Sequence, residues 1–145
     1  MATDNIAKAW FDIAVEDISA AEWMHKGGKW LYVAFECHQA LEKIIKGYWS
    51  AIRDDDPPLL HNHERLLMGC GLYTKLSDEQ IHFLEQMHPM YIAGRYPQYK
   101  QQISATLNEQ TSQYFIEQTK KFQQWILQKY SEKMKPSALS DDTKK

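Results

Sequence analysis

The sequence predicts an all-α chain: an up-and-down bundle of four longer helices plus one short helix. Three observations carry this. Apolar residues recur at helical spacing over long stretches, glycine and proline breaks separate the stretches, and no segment alternates as a strand would.

The periodicity is clearest between Lys29 and Ile52. Leu31, Ala34, Ala40, Leu41, Ile44, Ile45, Tyr48, Trp49 and Ile52 recur there, with Val33, Phe35 and Cys37 between them. Glu36, Gln39, Lys43 and Lys46 step by three or four and form a narrow polar strip. A helix this apolar must be wrapped by others.

Before it, Thr3 or Asp4 can cap a first helix. Ile6, Trp10, Ile13, Ala14, Ile18, Ala21 and Met24 mark its face, and Gly27-Gly28 should end it. The short turn that follows makes the first two helices antiparallel neighbours. Gly47 interrupts the second helix at a cost of about 1 kcal/mol relative to alanine, which a close helix contact would explain.

Arg53-Asp54-Asp55-Asp56-Pro57-Pro58 reads as a solvated loop. His61 to Met68 then makes a short helix ending near Gly69 or Gly71. Ser77-Asp78-Glu79-Gln80 is a capping box opening a helix that carries Ile81, Leu84, Met87 and Tyr91. Pro89 predicts a kink or early stop in it. Residues 98–107 are ambiguous. From Asn108 the pattern is helical again, with Tyr114, Phe115, Gln118, Phe122, Trp125, Ile126 and Tyr130 near one face and Pro136 as the stop. Residues 1–135 are expected to form the bundle and 136–145 a disordered C-terminal tail.

Length and composition narrow the function classes. At 145 residues with 43% hydrophobic and 25% charged side chains, one soluble domain is expected. A formal charge of −2 argues against broad, purely electrostatic binding to nucleic acid or acidic membrane. No apolar run approaches the ~20 residues needed to cross a bilayer. The N-terminus has no secretion-signal pattern, and two cysteines make no disulfide framework. A reducing, cytoplasmic compartment is the expectation.

Candidate chemistry is sparse. His61 and His63 are weak metal candidates, since H-x-H lacks a third ligand at helical spacing; no metal or other cofactor is expected. Cys37 and Cys70 lack a basic neighbour to activate them. Neither common phosphate-cradling glycine motif is present. Tyr91, Tyr96 and Tyr99 cluster about Arg95, one of three arginines. A guanidinium beside rings can stack on a base or clamp a phosphate, or it can brace a turn.

Three segments together resemble the HEPN domain, named for nucleotide binding in higher eukaryotes and prokaryotes. They are Trp10-x-x-x-Ala14-x-x-Asp17-x-x-x-Ala21; Phe35-x-x-x-Gln39-Ala40-x-Glu42-Lys43-x-x-Lys46; and Pro58-x-x-His61-Asn62 with Leu66-Leu67, followed by Tyr91-x-x-x-Arg95-Tyr96-Pro97. Leu60 and His63 depart from the family's usual threonine and leucine. Many members of the family are dimeric ribonucleases, often toxins, with arginine and histidine four to six residues apart. That spacing is absent here: seven residues separate Arg53 from His61, and no histidine follows Arg95.

The resemblance is therefore to the small non-catalytic branch, often encoded beside a minimal nucleotidyltransferase. It implies a module, more a binder than an enzyme, that takes a nucleotide or RNA, or that subunit. Arg95 and Lys43 would meet phosphate, Tyr91 or Tyr96 a base, and His61 would add a hydrogen bond, with Gln39 and Glu42 orienting the cations. The alternatives are a toxin-like ribonuclease with a rearranged site, and a purely structural homodimer or toxin–antitoxin subunit.

Overall fold

The long apolar stretch at 30–52 becomes the axis of the molecule. The computed structural model describes residues 2–93 and 95–134, with side chains from residue 5 onward. Its helices are α1 (Ala2–Lys26), α2 (Trp30–Ile52), α3 (His63–Gly69), α4 (Asp78–Met87), α5 (Met90–Ala93), α6 (Pro97–Ser104) and α7 (Glu109–Lys133), with a 3-10 turn at Tyr73–Lys75. The described residues form no strand. Helix α2 touches α1, α3, α5, α6 and α7. Its core residues Val33, Ala34, Ala40, Leu41, Ile44 and Ile45 are fully buried.

The expected boundaries follow local chemistry. Gly28 takes φ +71°, which favours glycine, and turns the chain from α1 into α2. The Asn62 side chain accepts from Arg65 N–H and caps α3, so His61 lies just outside that helix. Ser77 Oγ accepts from Gln80 N–H at 3.1 Å while Gln80 Oε1 accepts from Ser77 N–H at 2.8 Å, completing the capping box of α4. Helix α4 stops at Met87, ahead of Pro89, and the chain resumes as α5. The ambiguous stretch at 98–107 is largely α6, started by Pro97. Asn108 caps α7. The Thr3 or Asp4 cap rests on side chains outside the described residues, as do the Pro136 stop and the tail at 136–145.

Two faces differ from expectation. On α1 the buried stripe is Ala7, Phe11, Ala14, Ile18 and Ala21, while Ile6 and Ile13 are half exposed. Small alanines let α2 come close, and that close approach, more than residue size, selects the face. Gly47 shows how close: a Cβ there would lie 2.5 Å from the Phe11 ring. On α2 the polar strip is not a solvated edge, because Lys46 is buried. Cys37 and Cys70 are both buried and free.

Candidate functional site

The C-terminal end of α5 meets the start of α3 against the flank of α2, and the candidate side chains that gather do so there. The Tyr91 ring carries two partners. The His61 imidazole stacks on it at 4.4 Å between centroids and 20° between planes. The Arg95 guanidinium lies over it, 4.6 Å from the centroid. This is a cation–π contact at the exposed end of a short helix. Arg95 pairs with no carboxylate among the described residues.

Beneath His61 lies a charged pair. Glu42 Oε1 bonds His61 Nδ1 at 2.8 Å, and Glu42 Oε2 accepts from Lys46 Nζ at 2.9 Å. Glu42 is 4% exposed and Lys46 5%. Burial pulls the Glu42 carboxyl upward, but the hydrogen bonds and charges of Lys46 and His61 outweigh it and hold the group below the usual carboxylate range. An ionised carboxylate only accepts, so His61 Nδ1 bears the hydrogen and Nε2 is the free nitrogen. Lys46 also lies 5.7 Å from the Trp10 ring.

A second pair of imidazoles backs this arrangement. The His38 and His63 rings lie 4.1 Å apart, and His38 sits 5.5 Å from Tyr91. His63 Nε2–H donates to the His38 carbonyl at 2.9 Å, while His38 Nδ1 is buried without a partner among the described residues. Burial, with the neighbouring imidazoles His63, His61 and His88, pushes His38 down to about 2. Burial lowers His63 to about 4, against its carbonyl bond and Glu42. Both rings stay neutral near pH 7 and pack as parts of the core.

The structure brings His61, Tyr91, Arg95 and Glu42 together and separates Lys43 from them. Lys43 Nζ pairs with Asp17 Oδ2 of α1 at 3.0 Å. Adjacent helical residues point about 100° apart, and here Glu42 turns to His61 while Lys43 turns to Asp17. The expected convergence of Lys43 with Arg95 and His61 is thereby corrected. Gln39 stays with α2, its Oε1 buried and without a partner among the described residues. Tyr96 is 50% exposed and stacks on no ring among them. His61 Nδ1 is bonded to Glu42 and His63 Nε2 to the His38 carbonyl, and among the described residues no group of three His, Cys, Asp or Glu is arranged to hold an ion. Arg53, the other arginine considered, is tied to Asp55 and the Gly69 carbonyl. A cleft of about 460 Å³ lies apart, between the 3-10 turn, α4 and α7, and none of the candidates lines it.

The sequence points neither to Lys46 as a site residue nor to the packing of His63 on His38 in place of His61. Lys46 had a usable signal, since it closes the motif at 39–46 and is surrounded in sequence by apolar residues.

The HEPN domain profile matches residues 7–130, most of the chain. The chain belongs to the HEPN family. Among solved structures it is similar to TT1696 from Thermus thermophilus, at 17% identity and a TM-score of 0.73, over 86% of this HEPN chain and 98% of that one. At that identity the likeness concerns the fold alone. No curated protein matches the chain significantly. No helix among its described residues is long and apolar enough to cross a membrane.

Proposed function

We propose that this HEPN chain is a binding module for a phosphate-bearing ligand, a nucleotide or RNA, received at the His61–Tyr91–Arg95 stack. One observation carries the reading: an exposed guanidinium, unpaired among the described residues, is held over a ring that also carries an imidazole anchored from below. Arg95 offers a planar fork for phosphate oxygens. Tyr91 is occupied by its two partners, so the neighbouring exposed Tyr96 is the ring left for a base.

Adenosine monophosphate and a short oligoribonucleotide should each raise the melting temperature. Arg95→Ala should weaken binding at least about tenfold, roughly 1.4 kcal/mol, while costing the unliganded protein no more than the about 0.5–1 kcal/mol of its contact with Tyr91. A protein that no nucleotide stabilises, with Arg95→Ala equally silent, ends this reading.

A ribonuclease with a rearranged site is the second reading. It is favoured by the Glu42-held imidazole, whose Nε2 is free, on a ring that packs against Tyr91 as the Arg95 guanidinium does. It requires RNA cleavage that disappears in His61→Ala, and RNA left intact by the purified protein excludes it. The half-exposed Ile6 and Ile13 of α1 support a homodimer or a nucleotidyltransferase subunit as protein partner. Gel filtration tests the homodimer, which a monomeric elution contradicts.

A further inference from the structure

We propose that the cleft between the 3-10 turn, α4 and α7 binds a small organic acid with a flat apolar body and a single carboxylate. None of the residues of the His61–Tyr91–Arg95 stack lines this cleft, so the inference does not rest on the nucleotide reading.

The cleft holds about 460 Å³, within the range that small-molecule sites occupy. Its floor is aromatic. Phe83 of α4 and Phe122 of α7 are almost wholly buried, and both contribute to the lining. Leu76 and Trp125, partly buried, line it beside them. The indole is fixed by its neighbours: Phe122 meets it edge-on at 5.5 Å between centroids, and Lys129 Nζ lies 5.9 Å from its centre. A hollow lined by rings favours a flat apolar guest, which removes ring surface from water.

The charged groups of the lining choose the guest's head. They are Lys75 at the end of the 3-10 turn, Lys121 of α7 and Glu79 of α4. All three are exposed, and none forms an ion pair among the described residues. Lys43, Lys46 and Lys120, by contrast, each hold a carboxylate. Two ammonium groups against one carboxylate leave one positive charge at the cleft.

A neutral guest would leave that charge unmatched. One carboxylate cancels it, and hydrogen bonds between ammonium and carboxylate are about twice as strong as neutral ones. A terminal phosphate, with up to two negative charges, would overshoot it beside Glu79. Long lysine stems can lie along an apolar guest while their heads meet its carboxylate at the rim. Ser77 and Gln80 are already bonded to each other at the start of α4, which leaves the lysines as the head-group contacts.

Nuclear magnetic resonance titration of the isotope-labelled full chain tests the proposal. The probes are 2-naphthoate, its uncharged analogue 2-naphthamide, and 2-naphthyl phosphate. 2-Naphthoate should move the indole N–H signal of Trp125, identified as the one missing from Trp125→Phe, and leave those of Trp10, Trp23, Trp30 and Trp49 in place. 2-Naphthamide should bind about tenfold more weakly. Lys75→Gln and Lys121→Gln change exposed, unpaired side chains and so leave the fold intact. Each should weaken 2-naphthoate roughly threefold and leave 2-naphthamide unaffected. Equal binding of acid and amide, or tighter binding of 2-naphthyl phosphate, overturns the choice of a carboxylate. A Trp125 signal that stays still, or indole signals that all move together, removes the site.

Discussion

Glu42 and Lys43 are neighbours in the chain and strangers in the fold: one meets α3 through His61, the other meets α1 through Asp17. The motif containing them was legible in the sequence. Their division of labour was not, because it depends on which helix lies on each side of α2. The same holds for the histidines. Spacing suggested His61 and His63 as a pair, whereas His63 pairs with His38, twenty-five residues away. That burial has a cost with a defined sign. His38 and His63 bind protons less readily folded than at the ordinary 6.5. Below that pH the unfolded chain takes up protons that the folded chain refuses. Stability is therefore full above about pH 7 and falls as pH drops toward 4, by at most about 1.4 kcal/mol per pH unit for each ring. Urea midpoints at pH 7, 6 and 5 should decline, and His63→Gln, whose amide can still donate to the His38 carbonyl, should flatten the decline. A midpoint constant over this range contradicts the buried-neutral account.

At the scale of the helix, ends were read more reliably than faces. Caps and breakers act through their own backbone, so Ser77, Asn108, Gly28 and Pro89 mark boundaries wherever the helices pack. Faces are chosen by neighbours. Helix α1 turned Ala7 and Phe11 inward and left Ile6 and Ile13 half exposed because α2 approaches closely. Gly47 is the point of closest demand. Alanine there gains about 1 kcal/mol of helix propensity. Its Cβ would press on a Phe11 ring already packed edge-on against Tyr130 at 5.2 Å. Overpacking of this kind costs about 1–3 kcal/mol, so Gly47→Ala should destabilise by roughly 1 kcal/mol net, read as a lowered urea midpoint. A midpoint that rises would show that the ring moves freely and that the contact is loose.

For the molecule as a whole, fold and family were legible because both rest on patterns that a linear chain displays: helical periodicity, breaks, and three motifs in fixed order. The site was half legible. Arg95 and Tyr91 stand four residues apart on one short stretch and find each other locally, whereas Lys46 matters through a shared carboxylate that no spacing reveals. The two cysteines lead elsewhere. Both are nearly inaccessible, and burial raises the Cys37 thiol to about 12 and the Cys70 thiol to about 11. Neither can meet a disulfide reagent until the bundle parts around it, so coloured-thiolate release at pH 8 becomes a clock for opening. Labelling should run roughly a thousandfold or more below that of a small free thiol, with Gly47→Ala hastening it.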